Sequence, residues 1–349
     1  MPAVGWTRKT DQLTYGIGVM GQGGMGTEYA AGSNMAMGGD AVRSELAVGR
    51  VIAPVSYRVN SQLNVGASLD FTWSSLDMRM ATSMTNVMNM SPQASAGSGF
   101  ATMMGQMSGM TQAQMDATTA RIDFSDNNDF TGAAKSTGLT GKLGLTYMVN
   151  KDLTVGASYQ LKTHLGDMKT SSAAASLDMG QGAMPGQMIV RDFQMPAVLS
   201  AGLSFQANPR MQLVADVKRI DWSSVMESFK MTFVSSQGLG SMSFTMPQNW
   251  KDQTVVSLGG AYQMNDALVL RAGYSHSTNP VPDSMVHPLF PAIVKDHYTA
   301  GFGYQIDKNM SVNAAVSHAP KVTVAAGQLG GAAITHSQTN YQLMLSYRY

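Results

Sequence analysis

The 349-residue sequence contains no cysteine, which excludes disulfide bonds and thiol catalysis. Charged residues make up only 13% of the chain, about half the share typical of soluble domains, although the hydrophobic content of 44% is ordinary. The net charge is only +1 and the basic residues form no dense cluster, so nucleic acid is not an expected partner. No apolar run approaches the roughly 18 residues of a transmembrane helix.

The sequence does contain an internal repeat. Each copy has an aromatic residue, a spacer, an apolar residue, Asn or Asp, and two turn-forming residues, and then begins an alternating apolar run. Alternation on both sides of a short turn with Asn or Asp predicts a β-hairpin. Five copies align without gaps and a sixth is weaker; they begin at residues 56, 146, 204, 261, 303 and, for the weaker copy, 7.

The alternation assigns two faces to each predicted strand. In residues 63–73, Leu, Val, Ala, Phe and Trp share one face, whereas Asn, Gly, Ser, Asp and Thr share the other. Six hairpins and a final strand give about thirteen strands, with short turns at one end and longer connections at the other. Long strands arranged in this way are typical of a transmembrane antiparallel β-barrel of an outer membrane. Residues 1–349 are therefore expected to form one all-β barrel domain.

A soluble β-sandwich also has alternating strands, but its strands average about five or six residues and would be shorter than these. The odd number of strands is a second point, because bacterial single-chain barrels have even numbers. Residues 1–12 also lack the basic start and apolar run of a secretory signal. The sequence therefore predicts that one strand of about fourteen is missing, together with whatever precedes it.

Several stretches, in order along nearly the whole chain, resemble the FadL-type family of outer-membrane transporters for long-chain fatty acids and other hydrophobic compounds, including toluene and xylene. They are PAVGW, YGIGVMGQGGMGTEY, APVSYRVNSQLNVGASLDF, MPAVLSAGLSFQANPRMQLVADVKRIDWS, NWKDQTVVSLGGAYQMND and NPVPDSMVHPLFPAIVKDHYTAGFGYQID. The resemblance implies a barrel with an N-terminal hatch, and we expect this sequence to be a member of the family that lacks the hatch. It also implies a Gram-negative outer-membrane location, contact with lipid and lipopolysaccharide, and a monomer.

Four glycines follow the predicted second strand, at Gly21, Gly23, Gly24 and Gly26. Glycine in a strand marks a bulge, a bend or a close approach to the backbone. The resemblance implies that these glycines lie at an inward kink of the barrel wall, where substrate leaves sideways into the membrane. Alternatively, they belong to an extracellular loop and only provide turns.

The longest predicted loop, residues 81–135, is rich in methionine. Flexible thioether side chains suit variable apolar ligands, so Met103, Met104, Met107 and Met110 are predicted to bind a hydrophobic substrate. Their spacing also predicts a short helix within 103–115. Two other interpretations are Cu(I) binding by thioethers, although no histidine or cysteine joins these residues, and ordinary packing of a loop.

Arg79 is the first of two cations that could bind a substrate carboxylate. It lies within one residue of the position where the resemblance would place a fatty-acid-binding arginine. A bulge at Ser74–Ser75 would turn Asp77 and Arg79 into the lumen, and would turn to the lipid the apolar residues Leu76, Met78 and Met80. The structural alternative is an ion pair of Arg79 with Asp77 or Asp70 in the lumen.

Lys251, in the stretch NWKD, is the second candidate, at the start of a predicted strand near the loop end. A lysine at a ligand site of some relatives falls on Met246 here, so that contact is not expected. This difference favours uncharged hydrocarbons.

Passive uptake of hydrophobic compounds, with long-chain fatty acids first and aromatic hydrocarbons as the alternative, is the function that these observations favour. A general diffusion porin would need charged rings around its constriction, and this chain has few charges. An enzyme would need a nucleophile, a base and an orienting group within reach, and the six histidines are scattered without a G-x-S-x-G motif. We therefore expect no catalysis, no cofactor and no metal.

Overall fold

The structure is a computed structural model that describes residues 3–326 and 332–348. Its twenty-one strands form one antiparallel sheet. The strands are β1 (Ala3–Lys9), β2 (Leu13–Tyr29), β3 (Val42–Arg58), β4 (Leu63–Ser83), β5 (Gln93–Ala94), β6 (Thr119–Phe124), β7 (Ala134–Met148), β8 (Leu153–Gln160), β9 (His164–Leu165), β10 (Met168–Lys169), β11 (Ala175–Asp178), β12 (Met184–Arg191), β13 (Val198–Asn208), β14 (Met211–Ile220), β15 (Ser228–Ser235), β16 (Ser241–Pro247), β17 (Gln253–Gln263), β18 (Leu268–Ser277), β19 (Asp296–Gln305), β20 (Met310–Ala326) and β21 (Ala332–Tyr347). The α-helices are α1 (Met84–Asn89), α2 (Gly99–Met107) and α3 (Gln112–Ala117). No helix in the described ranges is long and apolar enough to cross a membrane.

The strands fall into two groups. Thirteen follow one another in chain order, each paired with the one before it, namely β1–β4, β7, β8, β13, β14 and β17–β21. The other eight are short strands within the long connections. The total exceeds the number expected from the sequence because these connections add strands of their own. In the described residues, β1 has a ladder only with β2, and β21 only with β20.

The Asn or Asp of the repeats closes the short turns. The side-chain oxygen of Asn60 accepts the backbone N–H groups of Gln62 and Leu63, each at 2.8 Å. The same two bonds recur at Asn150, Asn265 and Asp307, and one of them at Asn208. An Asx turn of this kind is a local backbone device. The predicted hairpins are confirmed.

The two faces of the sheet differ as the alternation predicts. On β4, Leu69 and Phe71 are exposed, whereas Asp70 and Thr72 are buried on the opposite face. We refer to the face with the exposed large apolar side chains as the outer face and to the other as the inner face. The inner face borders a cavity of about 740 Å³, and the polar side chains of Asp216, Arg271 and Asn313 are part of its lining. The sheet is therefore apolar outside and polar inside over most of its height.

The predicted bulge at Ser74–Ser75 is wrong. The β3–β4 ladder runs without a register shift from the Arg43–Arg79 pair to the Arg58–Asn64 pair. Because successive strand residues point to opposite faces, an unbroken register keeps alternate residues from Asp70 onward on the inner face. The apolar residues expected to face lipid are instead buried on the inner face, namely Leu76, Met78 and Met80.

The long loop also differs in its boundaries. β4 continues to Ser83 and β7 begins at Ala134, so the connection is shorter at both ends than residues 81–135. The helix expected within 103–115 is two helices, α2 and α3. The side chain of Thr111 forms a capping box with Gln114, which begins a new helix at that point.

Candidate functional site

A large apolar cluster fills the end of the sheet where the long connections meet. It combines the inner-face residues of upper β4 with side chains from α1, α2, β6, β11, β12, β15 and β16. Phe100 and Phe233 meet edge to face with ring centroids 6.1 Å apart. We define the methionine core as its buried Met and Phe residues, which are Met78, Met80, Met84, Met107, Met168, Met179, Met188, Met231, Met242, Phe100, Phe124, Phe193, Phe233 and Phe244.

The structure brings the four methionines predicted from the long loop to this core. Met107 is buried within it, whereas Met103, Met104 and Met110 are partly buried and pack against it. Ser98 caps the helix that carries three of the four, since its side chain accepts the Ala101 N–H at 3.2 Å. Met103, Met104 and Met110 therefore lie on the partly exposed side of the core, with Met107 inside it, and the binding of substrate by the four remains a prediction.

Sequence reasoning missed the methionines outside that loop. Residues 229–233 read Phe-x-Met-x-Phe and residues 242–246 read Met-x-Phe-x-Met, and the two segments pair as β15 and β16. Alternation of this kind indicates a strand with one apolar face. It was the signal that could have identified Met231 and Met242 as core residues.

Arg79 lies on the outer face, not in the lumen as predicted. Its Nε donates to Asp123 Oδ2 at 2.8 Å, and its Nη2 donates to Asn127 Oδ1 at 2.9 Å. Arg79 is therefore ion-paired, but with Asp123 of β6 and not with Asp77 or Asp70. The physical reason is the unbroken register of β4, which places Arg79 beside β6.

Both predicted carboxylate partners are otherwise engaged. Asp77 is buried and accepts the backbone N–H groups of Asp126 and Ala133 and the hydroxyl of Ser125. Asp70 is paired with Arg50, as described below.

Lys251 lies in the connection before β17. Its backbone N–H donates to the Pro280 carbonyl at 2.8 Å, and its side chain is exposed. The neighbouring Asp252 pairs with Arg219 at 2.6 Å, and hydrogen bonds from Ser223 hold the pKa of Asp252 below its usual range. Lys251 therefore lies beside Pro280, whereas Arg79 lies beside Asp123 of β6.

The four glycines lie inside β2, so the loop interpretation is wrong. The β2–β3 register shifts between Gly21 and Gly23, which makes a bulge at Gln22. Gly23 is opposite Val48 on the inner face, where an added Cβ would meet no atom within 4 Å. Gly24 and Gly26 lie on the outer face. We refer to residues 21–26 as the glycine segment.

A buried ion pair lies beneath the glycine segment. Arg50 Nη1 donates to Asp70 Oδ2 at 3.1 Å, and Arg50 Nε donates to the side-chain oxygen of Gln22, the bulged residue. Arg50 is 5% exposed and Asp70 is 1% exposed. The other carboxylate oxygen of Asp70 and the hydroxyl of Thr72 have no hydrogen-bond partner in the described part of the chain.

Comparison with known proteins adds a family match to this geometry. The family described as outer membrane protein transport protein (OMPP1/FadL/TodX) matches residues 2–346. The chain is similar to the crystal structure of the Pseudomonas putida toluene transporter TodX, with 30% identity, a TM-score of 0.84, and coverage of 99% of this chain and 82% of that one. It is also similar to the Ralstonia pickettii toluene transporter TbuX, with 29% identity, a TM-score of 0.78, and coverage of 99% and 81%.

A curated sequence relative matches a shorter part of the chain. It is the outer membrane protein NMB0088 of Neisseria meningitidis serogroup B, which is 30% identical over 130 residues. That match spans 35% of this chain and 27% of the meningococcal protein.

Proposed function

Because the chain belongs to the outer membrane transport protein family of OMPP1, FadL and TodX, we propose that it carries hydrophobic compounds across the outer membrane, with monoaromatic hydrocarbons as its cargo. The outer face would contact membrane lipid and lipopolysaccharide, and the protein would act as a monomer without a cofactor. Transport would be passive.

The methionine core is the observation that carries this proposal. Its Met and Phe side chains pack together where the long connections meet the inner face of upper β4. Burial of apolar ligand surface stabilises binding by about 25 cal/mol per Å², and thioether sulfur makes favourable contacts with aromatic rings. Unbranched methionine side chains can also change conformation to admit a ligand. An aromatic hydrocarbon therefore suits this lining.

The charges around the core favour an uncharged cargo over the fatty acid that the sequence favoured. A buried carboxylate needs a cation with matching donors. Arg79 already donates to Asp123 and Asn127, and it lies on the outer face. Lys251 belongs to a different connection. The similarity to two toluene transporters supports the same cargo class.

We propose that the cargo leaves sideways through the glycine segment of β2. The bulge at Gln22 distorts the strand locally, and the inner side of Gly23 borders open space. Small residues at this height leave room for a ligand next to the backbone. A lateral route would deliver a hydrophobic molecule directly to the membrane interior.

Uptake by outer-membrane vesicles that contain the protein tests the proposed function. We expect saturable accumulation of radiolabelled toluene above vesicles that lack the protein, without competition from oleate and without entry of glucose. Entry of glucose and toluene at similar rates, without saturation, would indicate a general diffusion porin instead.

The variant Arg79→Met distinguishes the two cargo classes. We expect toluene uptake to change by less than about twofold, since a partly exposed ion pair contributes only about 0–1 kcal/mol to stability. Asp123→Leu, which removes the other half of the pair, is the matched control. Saturable oleate uptake by the wild type that is lost in Arg79→Met but kept in Asp123→Leu would instead assign a fatty acid cargo held by Arg79.

A further inference from the structure

The connection between β18 and β19, residues 278–295, reaches from the last two strands of the sheet to its second and third strands. Its base belongs to a second apolar cluster, in which Val281, Val286 and Ile293 are buried with Ile334 of β21. Val322 of β20 packs against the same cluster. We refer to residues 278–295 as the crossing loop. Its base is therefore attached to the last two strands.

The tip of the crossing loop reaches the second and third strands. The Tyr29 hydroxyl donates to the Pro288 carbonyl at 3.3 Å, and the Ser44 hydroxyl donates to the Leu289 carbonyl. Tyr29 ends β2, and Ser44 lies on the inner face of β3 opposite Met78. The tip itself is a tight turn, since the Leu289 N–H donates to His287 Nδ1 at 3.2 Å.

Leu289 lies between the methionine core and the glycine segment, which the proposed function connects. Its side chain is 1% exposed and belongs to the same apolar cluster as the methionine core. Its carbonyl is bonded to Ser44, which is adjacent to the residue opposite Gly26. The neighbouring inner-face pair, Met25 and Leu46, also borders the cluster through Leu46. The tip therefore lies next to the strand residues that connect the core with the glycine segment.

We propose that Leu289 is the gate between the methionine core and the glycine segment, and that its side chain sets the largest cargo that passes. This inference rests on the proposed function and names the residue that sets its size limit. The tip is held by neutral hydrogen bonds to two backbone carbonyls, and such bonds exchange readily with bonds to water. The base stays packed while the tip moves.

A size series at Leu289 tests the gate. Uptake of toluene and of naphthalene is measured in vesicles that contain the wild type or Leu289→Ala, together with toluene binding to the purified protein. We expect Leu289→Ala to raise the ratio of naphthalene to toluene uptake by roughly tenfold, in the range that one or two methylenes produce in an apolar pocket. Because Leu289 packs in the same cluster as the methionine core, the uptake ratio is compared at saturating concentrations of each compound, where a change in affinity does not alter it. Ile293→Ala, a buried residue at the base of the same loop, should leave the ratio unchanged.

A second variant keeps the test valid if Leu289→Ala does not fold. Tyr29→Phe combined with Ser44→Ala removes both hydrogen bonds to the tip, and we expect faster uptake of both compounds with unchanged toluene affinity. An unchanged uptake ratio in folded Leu289→Ala, or unchanged uptake rates in the double variant, would overturn the gate. A wild type that takes up neither compound would overturn the proposed function as well, so the two failures are distinguishable.

Discussion

At the residue scale, the contact between Arg50 and Asp70 connects the buried inner face with the bulge of β2. Both groups are removed from water, and Arg50 also holds Gln22. A buried charge that loses its partner is strongly destabilising, whereas replacement of both partners by apolar residues of similar size is often neutral. The pair therefore fixes the position of the bulge. Burial of the two charges costs free energy, and their mutual attraction offsets that cost.

Substitution of one partner should destabilise the protein more than substitution of both. We expect Asp70→Leu to lower the free energy of unfolding by about 3–5 kcal/mol because Arg50 is left buried and unpaired. Adding Arg50→Met should restore most of this loss. Chemical unfolding in detergent micelles measures both. A double variant as unstable as Asp70→Leu would contradict the role given to the pair.

His287 is the other residue whose environment has a measurable consequence. Burial within the crossing loop lowers the pKa of His287 to about 4 from an ordinary value of 6.5. Its Nδ1 accepts the Leu289 N–H, which requires that nitrogen to be unprotonated. The folded state therefore contains neutral His287 at neutral pH.

Acidification should weaken the folded state through His287. Below pH 6.5 the unfolded chain binds a proton at His287 before the folded protein does, so the stability is complete above that pH and falls toward pH 4. The loss reaches roughly 3 kcal/mol near pH 4, since each pKa unit is worth about 1.36 kcal/mol. The stability of the wild type relative to His287→Phe, measured from pH 7.5 to 4, checks this. A pH-independent difference between the two proteins would rule it out.

At the element scale, the packing of α2 determines whether the methionine core forms. Phe100 of α2 is fully buried against Phe233, whereas Phe130 in the same connection is 85% exposed. The two residues have the same side chain, so they form a matched pair for substitution.

Truncation of Phe100 should affect both stability and binding. We expect Phe100→Ala to cost about 3–5 kcal/mol in the free energy of unfolding and to weaken toluene binding, because it leaves a cavity in the core. Phe130→Ala should change stability by less than about 0.5 kcal/mol, as is usual at exposed positions. Thermal unfolding and toluene titration measure these effects. An equal change in toluene affinity in Phe100→Ala and Phe130→Ala would show that the core does not bind toluene.

Some elements could be predicted from the sequence because their cause is local. The Asn60 turn is formed by bonds to residues two and three positions away, so the repeat was sufficient to place it. The upper part of β4 could not be predicted in the same way. Apolar residues there face other connections and not lipid, since Met78 pairs with Phe124 and packs among residues from distant segments.

The residues of the candidate site also differ in whether a local pattern or a distant contact determines their position. Composition was sufficient to select Met107 as a residue for apolar contacts, because a dense group of methionines needs no exact register to pack together, and its binding of substrate stays a prediction. The direction of Arg79 depends on whether β4 contains a bulge, and only the partners of β4 decide that. The tip of the crossing loop meets Tyr29 and Ser44 across more than half of the chain, a contact that no local pattern indicates.

At the scale of the whole molecule, three features lie one after another along the proposed path of the cargo. The methionine core lies at the end of the sheet formed by the long connections, Leu289 borders it, and the glycine segment follows in the wall. The cavity on the inner face that contains Asp216, Arg271 and Asn313 lies along other strands, from β14 to β21. A hydrophobic molecule that follows this route avoids the charged side chains of that cavity, which is the central claim of the proposed function.

The most direct test of this claim is the toluene uptake rate of Gly23→Val compared with that of Gly18→Val. Both residues lie on the inner face of β2, and a Cβ at either position meets no atom closer than 3.7 Å, so both variants should fold. We predict that Gly23→Val abolishes uptake while toluene binding persists, and that Gly18→Val transports like the wild type. Equal uptake by the two variants would contradict lateral release through the glycine segment.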